Sequence, residues 1–204
     1  MTKVEKAAAA PVRHSSFRAA GAFTLIELLV VIAIIIVLAG LVLSTAGYMQ
    51  KKGARSRAET EIAAMSAACE SYKADNGIYP RDATTDALNA RAAGDPTTTP
   101  YKNASLYLYN ALFGATNGSR TPNSGARSYF VFKPNMLSPA DQNQNVEYIR
   151  DPFGNSYGYS TANQTDPVTP KGYNPTFDLW STTGLTTNPG GTPDTITPQW
   201  IKNW

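Results

Sequence analysis

The sequence predicts an α+β protein in which a long N-terminal helix, membrane-spanning in its first half, packs on a small antiparallel sheet. Three features carry this prediction. An apolar run begins near residue 21, apolar residues recur at helical spacing between residues 54 and 72, and short aromatic and β-branched runs follow residue 129. Helical signals therefore precede strand signals along the chain, as is typical of α+β domains.

The apolar run is long enough for a membrane-spanning helix. From Leu28 to Gln50, 23 residues pass without an acidic or basic side chain, and roughly 20 helical residues at ~1.5 Å each cross a hydrocarbon core of ~30 Å. A core helix of a soluble protein is the alternative, but a run that is apolar all round, rich in β-branched residues and preceded by basic residues favours a membrane span. A cleaved secretory signal would place small residues after a shorter apolar region, whereas here Ala19–Ala22 come before it.

Glu27 is the only charged residue between Gly21 and Gly40. A carboxylate costs about 2.5–3.5 kcal/mol at the bilayer centre and less near an interface, so Glu27 needs a partner. Basic residues precede the run at Lys3, Lys6, Arg13 and Arg18. Because basic flanks stay on the cytoplasmic side of a membrane, we expect the domain after the helix to be extracytoplasmic.

Apolar residues between positions 54 and 72 follow one another in steps of three or four, which predicts a helix with one buried face. They are Ala54, Ala58, Ile62, Met65, Cys69 and Tyr72. Charged residues, Glu61 among them, fill other positions and are predicted to be solvated. We expect one helix from Phe23 to about Asn76, ended by Gly77 in the left-handed conformation. The alternatives are a coiled-coil stalk, for which the stripe is short and rich in alanine, and an anchor followed by a separate helix.

Short helices and then strands are predicted after the long helix. Residues 81–93 allow one short helix, and Ser105 can cap a second at Leu106–Phe113. Four runs rich in aromatic and β-branched residues predict three or four antiparallel strands that cover the apolar stripe. These runs are Tyr129–Phe132, Val146–Ile149, Ser156–Tyr159 and Thr176–Trp180. Asp151–Tyr157 has the composition of a tight turn.

The run Ala22-Phe-Thr-Leu-Ile-Glu-Leu-Leu-Val-Val31 resembles the cleavage and methylation motif of type IV prepilins and the related type II secretion pseudopilins. The resemblance implies that a prepilin peptidase removes residues 1–22, that Phe23 is then N-methylated, and that Glu27 serves filament assembly. This family usually has glycine directly before the cut, whereas here Ala22 takes that place and Gly21 lies one residue earlier. Cleavage would create an α-amine about one helical turn from Glu27, able to pair with Glu27 of a neighbouring subunit and set the register.

Further runs are similar to the major pseudopilins of type II secretion. Tyr72–Pro80 is similar to the end of their long helix, Asp151–Tyr157 to a turn between strands, and residues 177–181 and 200–204 to their last strand and ending. Those proteins hold a calcium ion in the loop after the last strand. Here Asp194 matches one acidic ligand, but Leu185 stands where a second Asp is expected after Gly184. The resemblance therefore implies at most a weak Ca²⁺ site at Asp194, with an ordinary polar loop as the alternative.

The chain lacks the residues that several kinds of catalytic site require. His14 is the only histidine and lies in the expected leader, and Cys69 is the only cysteine. The mature chain therefore offers no Ser-His-Asp triad, no histidine-rich metal centre and no intramolecular disulfide. A membrane-anchored periplasmic enzyme would need an acid–base pair such as Asp178 with Asp194, yet turn chemistry already accounts for both. Basic and aromatic residues are too sparse to predict nucleic-acid binding.

Together, the residues and the resemblance predict a leader at residues 1–22, a transmembrane and filament-core helix at 23–50 and a periplasmic α+β domain at 51–204. The resemblance implies a structural subunit, not an enzyme, of a type II secretion pseudopilus, the homo-oligomeric helical filament that drives protein export across the outer membrane. Expected partners are the prepilin peptidase, the inner-membrane assembly platform, other pseudopilins and membrane lipid, with a cytoplasmic N-terminus and one pass through the inner membrane. A type IV pilin or minor pilin for adhesion, motility or DNA uptake is the alternative, which the missing C-terminal disulfide disfavours.

Overall fold

The first helix of the chain extends through both of its compact units. The computed structural model describes residues 23–92, 94–185 and 197–204, except for the side chains of residues 43–46 and 197. One unit ends at Gly47, and the other is Tyr48–Trp204. Helix α1, Leu25–Asn76, has 52 residues and belongs to both. A long apolar N-terminal helix followed by small antiparallel sheets confirms the α+β class.

The second half of α1 has the buried face that its residue spacing predicts. Ala58, Ile62, Met65 and Cys69 are each at most 4% exposed. The helix ends where Gly77 adopts a φ of +78°, a conformation that costs glycine little because it has no Cβ. The predicted helix end and the predicted apolar stripe are both confirmed.

Glu61 lies on the face predicted to be solvated, and that prediction is wrong. Its side chain is only 10% exposed. Oε1 accepts a hydrogen bond from Nε of Arg57 at 2.7 Å, and Oε2 accepts one from the hydroxyl of Tyr157 at 2.7 Å. Because both carboxylate oxygens have donors, Glu61 is buried without an unpaired charge.

Three shorter helices follow in the part of the chain that the structure describes. They are α2 at Ala83–Ala87, α3 at Thr99–Phe113 and α4 at Ala162–Thr165. Single 3₁₀ turns occupy Pro134–Met136 and Thr197–Gln199. Asp82 caps α2, accepting hydrogen bonds from the amides of Thr84 and Thr85 at 3.0 Å each, so the first predicted short helix is present but brief.

Helix α3 begins earlier than predicted. Pro100 lies in its first turn, where its fixed φ favours helix and its missing N–H costs nothing. Ser105 is therefore inside α3 and does not cap it. Its buried hydroxyl accepts a hydrogen bond from the amide of Ile149 at 3.0 Å. The predicted inward packing of Leu108, Tyr109 and Leu112 is confirmed, since each is at most 1% exposed.

Five short strands form two antiparallel sheets within the described residues. They are β1 at Leu137–Ser138, β2 at Tyr148–Ile149, β3 at Gly158–Ser160, β4 at Asp178–Ser181 and β5 at Ile201–Lys202. In the smaller sheet β1 pairs with β2, and in the larger one the order is β3-β4-β5. Trp180 of β4 lies opposite Gly158 on one side and Lys202 on the other.

Residues 129–132 are not a strand, contrary to prediction. The amides of Tyr129 and Phe130 both donate to the carbonyl of Leu112, at 2.7 and 3.1 Å. These two amides therefore bond to the end of α3 and are not available to pair with another strand. The aromatic side chains still contribute to the core, since Phe132 is 8% exposed and its ring centroid lies 5.1 Å from that of Tyr109.

Two clusters make up the interior of Tyr48–Trp204. The larger one combines the buried face of α1 with α3 and with strand residues such as Ile149, Tyr159 and Leu179, so the sheets do cover the apolar stripe. The second, which we call the tryptophan cluster, contains Trp180, Trp200 and Trp204 together with Tyr101 and Tyr173. Fully buried Trp180 donates from Nε1 to the hydroxyl of Tyr101 at 2.9 Å.

The predicted turn at Asp151–Tyr157 is confirmed. Oδ1 of Asp151 accepts from the amides of Phe153 and Asn155, at 3.0 and 2.8 Å, and Oδ2 accepts from the hydroxyl of Ser181 at 2.5 Å. Gly154 has a φ of +98°. One buried carboxylate therefore organises the turn and joins it to β4.

Candidate assembly site at the start of the apolar helix

Thr24 and Glu27 form a capping box at the N-terminus of α1. The hydroxyl and the backbone amide of Thr24 donate to Oε2 of Glu27, at 2.7 and 3.0 Å, and the amide of Glu27 donates to Oγ1 of Thr24 at 3.3 Å. The first amides of a helix have no partner within it, and this reciprocal arrangement satisfies two of them. Glu27 therefore has a local role within a single chain.

Only one oxygen of the Glu27 carboxylate is used by this cap. Both hydrogen bonds end on Oε2, and no hydrogen bond or ion pair from the described residues reaches Oε1. A carboxylate can accept about four hydrogen bonds in all. Glu27 can thus cap its own helix and still accept a further donor.

The signal for this cap was present in the sequence. Threonine followed three residues later by glutamate, directly before an apolar run, is the signature of a capping box. The predicted assembly role of Glu27 does not involve Thr24. The two roles differ in what they require, since the cap needs an acceptor atom and the assembly role needs a charge.

Phe23 precedes the cap, and its side chain is 80% exposed. Standard bond lengths place its nitrogen within about 4 Å of the Thr24 nitrogen, which is itself 3.0 Å from the carboxylate. A chain that began at Phe23 would therefore carry a positive α-amine close to Glu27. Gly21 and Ala22, the other two residues of the predicted cleavage site, lie outside the described residues.

The apolar part of α1 presents its side chains to the surroundings. Every large apolar side chain described between Phe23 and Val42 is at least 47% exposed. By length and composition, α1 is the one helix among the described residues that is able to cross a membrane. Monomeric soluble proteins rarely expose more than a few hundred Å² of contiguous apolar surface, so this surface requires a cover of lipid or protein.

Three of the described aspartates have structural partners, and one of them is Asp178, the described member of the candidate acid–base pair. Asp86 pairs with Nη2 of Arg81 at 2.8 Å. Burial favours a higher pKa for Asp86, but hydrogen bonds from Arg81, Thr161 and Thr165, together with the charge of Arg81, outweigh burial and hold this pKa below its ordinary value. Asp75 pairs with Arg127 at 2.5 Å. Asp178 is buried and accepts from the amides of Tyr173 and Asn174, at 2.9 and 2.8 Å, and burial raises its pKa.

Burial also determines the chemistry of two other titratable groups. It raises the pKa of Asp151, against the opposing effect of the hydrogen bond from Ser181. The only cysteine of the chain, Cys69, is fully buried, and burial raises the pKa of its thiol. Cys69 therefore packs as a small apolar side chain with little thiolate character.

The residue proposed as a calcium ligand, Asp194, lies outside the described residues. Among residues 23–92, 94–185 and 197–204, no group of three or more His, Cys, Asp or Glu side chains is arranged to hold a metal ion. Leu185 and Thr183, at the start of the loop, are both half-buried.

Comparison of the chain with protein-family models, with curated proteins and with solved structures found no match.

Proposed function

We propose that this chain is a structural subunit of a type II secretion pseudopilus, made as a precursor, cut between Ala22 and Phe23 and assembled into a helical filament. The observation that carries the proposal is the exposed apolar length of α1, headed by a single capped carboxylate at Glu27. The pilin-like fold and the pseudopilin identity belong to the proposal as well, and they rest on the sequence motifs quoted above.

Filament assembly follows from the physics of the exposed helix. Lipid tails are as apolar as leucine side chains. An apolar helix that exchanges contacts with lipid for contacts with identical helices therefore loses little hydrophobic stabilisation. The gain comes from van der Waals packing between helices. A subunit of this kind can be stored in the membrane and later moved into a filament whose core is made of the same helices.

Glu27 would supply the register of that filament. An unpaired carboxylate among packed apolar helices is costly, and a positive α-amine on Phe23 of a neighbouring subunit removes that cost. Oε1 of Glu27 accepts no hydrogen bond from the described residues, so it is available to such an amine while Oε2 maintains the cap. Subunits that meet at any other offset along their helices would lose this pairing between chains.

The proposed topology places the N-terminus in the cytoplasm, α1 through the inner membrane and Tyr48–Trp204 in the periplasm. The basic residues of the leader support this orientation. The proposed partners are further copies of this chain, the prepilin peptidase, the inner-membrane assembly platform and the other pseudopilins. The filament would work mechanically, in the export of proteins across the outer membrane, and its subunit would be no enzyme.

Intact mass spectrometry of the chain, produced together with its cognate prepilin peptidase and recovered from membranes, tests the processing step. We expect the mass of a chain that begins at Phe23 and carries one additional methyl group. An uncut chain, or one cut at a site after the apolar run, would contradict the proposal.

A pair of variants separates the cap from the charge at the start of α1. Glu27→Gln keeps an acceptor for the cap, since glutamine serves in capping boxes, but removes the charge. Thr24→Ala keeps the charge and removes the hydroxyl, at about 0.5–2 kcal/mol of helix stability. We expect the leader to be removed from both variants. When filaments are counted by electron microscopy, Thr24→Ala should form filaments, and Glu27→Gln should form far fewer than Thr24→Ala. Equal assembly by both variants, or failure of Thr24→Ala alone, would show that Glu27 acts only as a cap.

A further inference from the structure

A groove lies at the beginning of the second unit, where α1 leaves the apolar run. Its volume is about 550 Å³, and it is lined by Tyr48, Lys51, Lys52, Arg55, Phe153 and Thr183. Four lining residues come from two consecutive turns of α1, one from the turn that follows Asp151 and one from the loop after β4. The groove thus combines three cations with two aromatic rings.

The positive charge of this groove is largely uncompensated. Lys51 and Lys52 are exposed and make no ion pair with any described residue. Arg55 lies 3.5 Å from Glu59, but both side chains are about half exposed, at 46% and 57%, and such exposed pairs contribute little. Among the described residues, no carboxylate lines the groove, so this part of the surface attracts an anion.

Arg55 is held in position by a second contact. Its Nη1 donates to the carbonyl of Gln199 at 3.2 Å, which joins the helix to the segment before β5. Among the described residues, the only other partner of the Arg55 guanidinium is the carboxylate of Glu59. A guanidinium fixed in this way is well suited to a phosphate, which accepts several charge-assisted hydrogen bonds.

Chain connectivity places these cations near the surface of the membrane that α1 is proposed to cross. Tyr48 directly follows Gly47, and Arg55 is eight residues beyond it, or about 12 Å along a helix. Headgroup layers add roughly 5–8 Å to each side of the hydrocarbon core. Tyrosine and lysine prefer this depth, because each has an apolar body and a polar tip.

We propose that this groove binds the phosphate headgroup of an anionic phospholipid in the outward-facing leaflet of that membrane. The proposal rests on the membrane-insertion part of the proposed function and does not depend on filament assembly. Lys51 and Lys52 contact the phosphate, Arg55 donates to it from a fixed position, and Tyr48 and Phe153 pack against the glycerol and the first carbons of the acyl chains.

A lipid fits this groove better than a second copy of the chain. A parallel copy in the same membrane would bring its own Lys51 and Lys52 to this depth, and its nearest exposed carboxylate, Glu59, is paired with its own Arg55. Glu61, one of the first acidic residues after the run, is buried against Tyr157 and Arg57. Phospholipid phosphates are present at the right depth around every inserted chain.

The test uses the full chain in nanodiscs of phosphatidylcholine that contain a fixed minor fraction of phosphatidylglycerol. Lipids that remain bound after mild detergent extraction are counted by native mass spectrometry. Each basic residue near an anionic surface favours binding about fivefold, so we expect marked enrichment of phosphatidylglycerol over its bulk fraction. In Lys51→Gln/Lys52→Gln this enrichment should fall by roughly tenfold or more.

A charge-matched control is available in Lys133→Gln/Lys171→Gln, which removes two exposed lysines that do not line the groove. This control should keep the enrichment of the unchanged chain. Equal enrichment in both double variants, or no enrichment in the unchanged chain, would overturn the proposal.

Two further experiments distinguish binding of a lipid from binding of inorganic phosphate and from contact with a second copy of the chain. Inorganic phosphate at millimolar concentration should leave the bound phosphatidylglycerol in place, and its displacement would make the groove a simple phosphate site. Enrichment that requires two or more chains in one nanodisc would assign the groove to a second copy. Resistance of the chain to carbonate extraction is measured separately, so that failure of membrane insertion and failure of lipid selection are distinguished.

Discussion

Removal of the Tyr157 hydroxyl tests the contact that joins the β3 side of the core to α1. The hydroxyl donates to Oε2 of Glu61 at 2.7 Å, while Arg57 occupies Oε1. Burial, together with the neighbouring charge of Glu61, raises the pKa of Tyr157, so the hydroxyl stays protonated and continues to donate. Tyr157→Phe keeps the ring in the core and leaves one buried carboxylate oxygen without a donor.

The expected cost of Tyr157→Phe follows from the kind of bond that is lost. A hydrogen bond to a charged group contributes about 1.5–3 kcal/mol, which corresponds to a roughly 10- to 150-fold change in the unfolding equilibrium. Urea unfolding of the full chain in detergent micelles, followed by pulse proteolysis, measures this loss. With a slope of about 1–3 kcal/mol per M, we expect the urea midpoint to fall by about 1 M.

Tyr148→Phe is the matched control for this measurement. Tyr148 is half-buried, and its hydroxyl forms no hydrogen bond to any described residue. Loss of this hydroxyl should change the free energy of unfolding by no more than about 0.5 kcal/mol. If Tyr157→Phe is as stable as the unchanged chain, or if both variants lose the same amount, the Glu61 contact is not a source of stability.

Two other predictions concern pH and backbone conformation. Burial raises the pKa of Asp151 and Asp178 above the ordinary value of 3.8, so the folded chain keeps protons that the unfolded chain has released. The contribution of these groups to the free energy of unfolding therefore rises as pH falls from about 7 toward about 4. Urea unfolding across this range should show the rise, and Asp151→Asn should weaken it; an identical profile in Asp151→Asn would contradict the assignment. Gly118 and Gly77 both have a positive φ, but a Cβ on Gly118 would lie 2.1 Å from the carbonyl oxygen of Val146, whereas one on Gly77 meets nothing within 4 Å. We expect Gly77→Ala to cost about 1–2 kcal/mol and Gly118→Ala clearly more, and equal midpoints in urea would refute the difference.

Helical features were the most predictable part of this fold. Apolar spacing over residues 54–72 located the buried face of α1, and Gly77 located its end, because both signals act over a few neighbouring residues. The start of α3 was predicted too late because the cap was assigned to Ser105, whereas Pro100 lies in the first turn, where proline favours helix.

Strand predictions succeeded only in part, for a physical reason. A run such as Tyr129–Phe132 shows that aromatic side chains will be buried, but it does not show where the backbone amides bond. Here Leu112 at the end of α3 accepts two of them. Strand β5 has only two residues, too few for any periodicity.

The candidate assembly site was located from the sequence, but half of its chemistry was missed. Glu27 stood out because a lone carboxylate in an apolar run is costly. The hydrogen bond that the Thr24 hydroxyl donates to Glu27 was not predicted, although a threonine three residues before a glutamate is a local signal for it. Burial of Glu61 could not be predicted in this way, since its donor, Tyr157, is 96 residues distant along the chain.

The tryptophan cluster gives this protein a built-in optical probe of one region. All three tryptophans of the chain, Trp180, Trp200 and Trp204, belong to it, and none precedes residue 180. The rings of Trp180 and Trp200 are nearly parallel, with centroids 5.9 Å apart, so loss of this packing would change their emission. Tryptophan fluorescence of the unlabelled chain, excited selectively, therefore reports on the region of the last strands. The tryptophan emission would stay the same when α1 exchanges contacts with lipid for contacts with protein, as long as Tyr48–Trp204 keeps its fold.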